Sequence, residues 1–179
     1  MPVGALSLPL ASVLTGQPEV IGSSVLAAAA ASVSFQFPPV YRAVLIDAAY
    51  IKFVTASGSI YLRCNGDSGA NYAQQKITAN GATVAGARLT AQAQINISND
   101  NIGAGDDSVS SILVVKSTAA AKAQMTWIED HEAGAPAPYL VLGGGEWGNT
   151  ADLLSRIDLL ASANSFAINT AITLWGYRL

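Results

Sequence analysis

The chain reads as an all-β protein, an antiparallel sandwich or barrel. Short apolar segments with period-two alternation recur along it, as in Val33-Ser34-Phe35-Gln36-Phe37 and Ile60-Tyr61-Leu62-Arg63-Cys64. Clusters of glycine, asparagine, aspartate and serine separate these segments at roughly 8–12 residue spacing. Convincing amphipathic helices are few, and no internal repeat is visible.

The 179 residues amount to about one domain, long enough to bury a real core. Hydrophobic residues make up 51% and charged residues only 12%, which excludes wholesale disorder and suggests that part of the surface is covered by a partner. The formal net charge is −3, and the nine lysines and arginines are scattered singly. A phosphate-binding footprint is therefore missing, and no nucleic-acid partner is expected. Cys64 is the only cysteine, so no disulfide can form within the chain.

Residues 1–32 read as an N-terminal arm preceding a body over 33–179. Glu19 is their one charge, and Pro2, Pro9 and Pro18 with Gly4, Gly16 and Gly22 break any long helix. Leu6, Leu8 and Leu10 alternate, and Val20, Ile21, Val25 and Leu26 add apolar surface; these seven are the expected assembly contacts. No lysine or arginine precedes Arg42, so the positive region of a signal peptide is lacking. No apolar run reaches the ~20 residues of a membrane span.

The body is predicted strand by strand. Val33–Phe37 alternates up to Pro38-Pro39, and Tyr41–Asp47 and Tyr50–Thr55 follow as two strands. Ile60, Leu62 and Cys64 share one apolar face of the next strand, which Asn65-Gly66-Asp67-Ser68-Gly69 ends as a tight turn. Ala73–Ala79 and Thr150–Arg156 could each give a helical turn or two. Ala82–Ile97 is expected to turn Val84, Leu89, Ile95 and Ile97 inward. Ser111–Lys116 reads as a central strand, Gly134–Pro138 and Gly143–Gly148 as loops, and Ile157–Leu160 and Ile172–Tyr177 as closing strands.

Candidates for chemistry are weak. Cys64-Asn65-Gly66-Asp67-Ser68-Gly69 resembles the nucleophile signature of trypsin-like proteases, but the one histidine, His131, follows Ser68 where that family's histidine precedes the serine. His131 lies in Glu129-Asp130-His131-Glu132, read as a solvated loop whose acidic neighbours favour the protonated ring. Asn99–Asp107 has oxygen ligands but not the spacing of a calcium loop, and Gly143-Gly144-Gly145 lacks the lysine of a phosphate loop. No metal, cofactor or catalytic residue is expected, and the chain is read as not an enzyme. Trp127 and Trp175 are expected in the core. Trp147 is expected to be partly exposed, and with Asp100 and Asp106 it forms the candidate surface ligand contact.

Two stretches carry a resemblance. Ile60–Tyr72, I-Y-L-R-C-N-G-D-S-G-A-N-Y, resembles the "L-x-x-R-x-N-G-D-x-G-x-N-Y" stretch of small virion proteins of tailed bacteriophages. Ile157-Asp158-Leu159, Asn164–Ala167 and Ile172–Tyr177 are similar to their closing segment, with Trp175 where those proteins usually carry tyrosine and Asn169-Thr170 where Gly-Ser is common. The resemblance covers about residues 41–179. It implies a jelly-roll sandwich with an extended N-terminal arm, working as a non-enzymatic structural protein of the virion. A capsid decoration role is preferred. The chain would assemble in symmetric copies, as a homotrimer or another closed oligomer, on major capsid or tail proteins. The alternative is a tail-associated receptor- or glycan-binding module.

Overall fold

The computed structural model describes residues 17–55, 58–98, 102–103, 106–132, 138–162 and 165–178. Among them are twelve strands and no helix, so none that is long and apolar enough to cross a membrane. In chain order they are β1 (Glu19–Val25), β2 (Ser32–Gln36), β3 (Ala43–Ile51), β4 (Ile60–Cys64), β5 (Tyr72–Asn80) and β6 (Thr83–Gln92). β7 (Ile95–Asn96), β8 (Ser108–Val115), β9 (Ala123–Glu132), β10 (Pro138–Trp147), β11 (Arg156–Ala161) and β12 (Ala171–Tyr177) follow. One sheet has eight strands in the order β1-β12-β3-β8-β9-β10-β5-β6, the other four in the order β2-β11-β4-β7. Every pairing is antiparallel.

The alternation that predicts the strands also sets which face they bury. Val33, Phe35 and Phe37 from one segment and Ile60, Leu62 and Cys64 from another turn into a single core. There they meet Val44, Ile46, Ile112, Val114, Ile172 and Leu174 of the large sheet. The arrangement is sandwich-like, with one buried cluster shared by both sheets.

Several expectations are corrected. Residues 19–25 are not an arm apart from the body: β1 pairs with β12 along the edge of the large sheet. Ala73–Ala79 is strand, because Tyr72, Gln74 and Lys76 alternate inward against β10 and β6. Thr150–Arg156 holds no helix. Tyr41–Asp47 and Tyr50–Thr55 are not two strands: most of the first, and Tyr50 and Ile51 of the second, belong to β3, whose register shifts between Ala48 and Ile51. Gly143–Trp147 is the last half of β10, where local composition predicts a loop. Ile95 and Ile97 are buried as expected, but Val84 and Leu89 are exposed because β6 is an edge strand that no other strand among the described residues covers.

Candidate functional site

The turn that ends β4 is built from its own side chains. Asn65 and Gly66 have φ of 55° and 69°, and the Asp67 N–H donates to the Cys64 carbonyl at 3.0 Å. Two consecutive left-handed residues make a type I′ turn, which normally closes a hairpin. Here the next strand, β5, belongs to the other sheet, so no strand ladder holds the turn. Side chains do so instead. Asn65 Oδ1 accepts from the Ser155 and Arg156 N–H groups at 2.9 and 3.0 Å, and its Nδ2 donates to the Leu153 carbonyl at 2.8 Å. Asp67 Oδ1 accepts from the Gly69 N–H at 2.8 Å, and Oδ2 from Asn71 Nδ2 at 2.8 Å. The Tyr72 hydroxyl accepts from the Cys64 N–H at 2.9 Å and donates to the Asp67 carbonyl at 3.1 Å. Asn65, Asp67, Asn71 and Tyr72 of the Asn-Gly-Asp stretch are thus engaged inside the protein. Ser68 is exposed there, whereas His131 is buried in β9.

Trp147 corrects the expected ligand contact. It is 0% exposed, and its Nε1 donates to Asp67 Oδ2 at 2.7 Å. Lys116 is buried beside it, 5.1 Å from the ring centroid, and donates to the carbonyls of Ala119 at 3.2 Å, Asn149 at 2.7 Å and Ala121. Burial lowers the pKa of this ammonium. No face of Trp147 is left for a sugar. Asp106 lies in the described structure and its Oδ2 accepts from the Gly103 N–H at 2.7 Å, while Asp100 lies outside the described residues.

His131 is not in a solvated loop. It is buried in β9, its Nδ1 lies 2.9 Å from Glu129 Oε1, and its ring stacks on Tyr139 at 4.9 Å. Ser108 Oγ donates to the same Glu129 oxygen at 2.7 Å. The order is therefore serine, carboxylate, histidine. Deprotonating a serine nucleophile requires the imidazole between the other two, so this trio is a buried polar junction and not a catalytic one.

The remaining surface of note is the outer face of the large sheet. Register places Val20, Trp175, Leu45, Leu113, Thr126, Gly144, Gln75 and Arg88 in one cross-strand row. The next row runs Thr173, Asp47, Ser111, Ile128, Leu142, Ile77 and Gly86. Ile128, Leu142 and Ile77, on three adjacent strands, are 47%, 45% and 50% exposed. Val109, Leu140, Ala79 and Val84 lie in the row beyond, interrupted by Asp130. Apolar side chains thus fill the middle of this face and one end of the first row, among polar residues such as Asp47, Ser111, Thr126 and Gln75, and an exposed apolar stripe of this kind is uncommon for a solvated sheet.

Glycines mark the same face. Gly143 and Gly145 face inward, and a Cβ at Gly143 would lie 2.0 Å from the Trp127 ring. Gly144 faces outward, where a Cβ would meet nothing closer than the Met125 carbonyl at 3.7 Å. It lies in an open trough of about 670 Å³, lined also by Gln75, Ile77, Arg88, Thr126, Leu142 and Glu146. Glycine within a strand marks places where another chain or ligand comes close.

Of the expected assembly contacts, Leu6, Leu8 and Leu10 lie outside the described residues. Val20 and Val25 are exposed on β1, whereas Ile21 and Leu26 pack against the core. Trp175, expected in the core, is half-buried on the outer face between Val20 and Leu45. Sequence reasoning missed Ile77, Ile128 and Leu142. The signal available was phase: Ile128 falls between the inward residues Trp127 and Glu129. No family model and no curated protein matches the chain.

Proposed function

We propose that the protein is a non-enzymatic structural subunit of a bacteriophage virion, most consistent with a capsid decoration role, that assembles with copies of itself and with major capsid or tail proteins. The observation carrying the assembly part is the exposed stripe Ile128–Leu142–Ile77 on the outer face of the large sheet. Water disfavours so continuous a face at roughly 25 cal/mol per Å², and a partner relieves that cost. The virion part stands on the resemblance of Ile60–Tyr72 and the closing strands, and on analogy of fold. Leaving aside the hairpins β5–β6 and β9–β10, the strands order as β1-β12-β3-β8 against β2-β11-β4-β7. Successive strands then exchange sheets except β4 and β7, which pair within the small one; this order supports the jelly-roll reading, an architecture common in viral capsid and lectin domains. The glycan-binding alternative loses its aromatic platform with the burial of Trp147.

The test is sedimentation of the full chain and of Leu142→Lys. The wild-type chain should sediment as an oligomer and the variant as a smaller folded species. A wild-type monomer at all concentrations, with no uptake into particles of the phage that encodes it, would overturn the proposal. Removal of residues 1–16 leaves β1 in place, and loss of uptake on that deletion tests the arm.

A further inference from the structure

We infer that β6 pairs antiparallel with β6 of a second copy, about a two-fold axis beside Ala87, so that two eight-stranded sheets join edge to edge. This rests on the assembly reading above and names the contact through which it works.

The large sheet has two edges, β1 and β6. β1 is blunted: its register shifts between Val20 and Gly22, Pro18 precedes it, and Glu19 is held by Arg178 at 2.7 Å. A bulge, a proline and a charge are the usual protections of an edge. β6 has neither a bulge nor a proline from Thr83 to Leu89; its register shifts only beyond, between Leu89 and Gln92, where Ala91 has a φ of 54°. It is ten residues long, has no proline, and Arg88 is its one charge. Its register with β5 is regular from Thr83 to Leu89. Every residue from Thr83 to Ala91 is exposed, so the strand projects beyond the small sheet with its second row of N–H and C=O groups facing outward. Such a row is a template for one more strand.

The residues select a second copy as that strand. A two-fold perpendicular to the sheet keeps outer face with outer face and pairs Ala87 with itself, Arg88 with Gly86, Leu89 with Ala85 and Thr90 with Val84. Among the described residues Gly86 has nothing within 4 Å of where its Cβ would be, and its φ is not positive, so nothing described in its own chain requires glycine. In the paired register it faces the partner copy's arginine and leaves room for that long side chain. Each arginine is kept away from its like, whereas centring the pair on Arg88 would set two guanidinium groups opposite each other.

Cysteine cross-linking tests this in the full chain, since native Cys64 is buried. Residues opposite each other in an antiparallel pair have Cα atoms about 4.5–5.5 Å apart, within disulfide reach. Under mild oxidation Ala87→Cys should form a linked dimer about tenfold faster than Thr83→Cys, which this register places opposite Ala91 of the other copy. A mixture of Arg88→Cys and Gly86→Cys chains should link to each other faster than either links to itself. If wild type is an oligomer that Leu142→Lys dissociates, yet both cysteine tests give only background linking, the edge contact is overturned and assembly stands. A wild type that is monomeric at all concentrations overturns the edge contact, and with no uptake into particles it overturns the assembly reading as well. Blocking of β6 by a foreign strand, with no self-linking, also overturns it.

Discussion

Trp147 Nε1 donates to Asp67 Oδ2 across 2.7 Å, tying the last residue of β10 in the large sheet to the turn that leaves the small one. Asp67 also accepts from the Gly69 N–H and from Asn71, so removing its carboxylate orphans three donors, one of them on a fully buried indole. Asp67→Ala is expected to cost about 2–4 kcal/mol of unfolding free energy. Urea titration followed by tryptophan fluorescence measures it, and a loss under about 0.5 kcal/mol would show that the turn holds without this clamp.

The same carboxylate gives a pH dependence. Burial pushes the Asp67 carboxyl up, but the hydrogen bonds from Trp147, Asn71 and the Gly69 N–H, with the charge of Arg63, outweigh it and hold its pKa below the ordinary value. A group lowered in the folded state contributes its full stabilisation above its unfolded pKa, about 4, and loses it as pH falls through the folded value. Stability should therefore drop as pH is lowered below about 4, and Asp67→Asn should flatten that part of the profile. Thermal melts from pH 2 to pH 6, wild type against variant, check the sign.

Gly143 and Gly144 are neighbours with opposite tolerance. Gly143→Ala drives a methyl into the Trp127 ring and should destabilise by about 3 kcal/mol or more. Gly144→Ala meets only ordinary contact and should be neutral or slightly stabilising, since alanine restricts the unfolded chain. Denaturation midpoints of the two variants decide it. Equal losses would mean that the indole does not lie over β10.

Cys64 should be chemically silent. Burial pushes its thiol well above the ordinary range, with Lys116 opposing and the carboxylates of Asp158 and Asp67 adding to the rise. Because the thiolate is the reactive species, labelling at pH 8 should proceed only as fast as the protein unfolds. A stoichiometric burst of modification in native buffer would contradict this.

Glu129 is buried with two polar neighbours, Ser108 and His131. His131→Phe keeps a ring against Tyr139 but leaves the carboxylate short of one partner. A loss of about 2–4 kcal/mol is expected, and Glu129→Gln in the same background should recover part of it. A double-mutant cycle measures the coupling.

Much of the strand content was legible because alternation is local. Phe35, Leu62 and Leu174 each lie in phase with their neighbours, and burial followed phase. What was illegible depended on residues far away in sequence. Gly143–Trp147 looks like a loop until Trp127 is seen to fill the space its glycines leave. Tyr72–Asn80 looks polar enough for a helix because β5 lies near the open edge, where Gln74 and Lys76 can point inward and still find carbonyls, Gln74 that of Asn96 and Lys76 that of Ser98. Trp147 was misplaced because its partner, Asp67, lies eighty residues away in the turn that leaves the other sheet. The apolar stripe was hidden for the same reason: Ile77, Ile128 and Leu142 come together only through register.

The pairing of β1 with β12 has a kinetic consequence. Until β12 emerges from the ribosome, the flanks of both β1 and β3 that it will occupy are vacant, and each is a sticky ribbon. Closure over so long a span of chain is slow, so synthesis in a crowded cell leaves a half-built intermediate exposed to mispairing. Expression yield should then respond more to mutations in β12 than their effect on the finished fold would suggest.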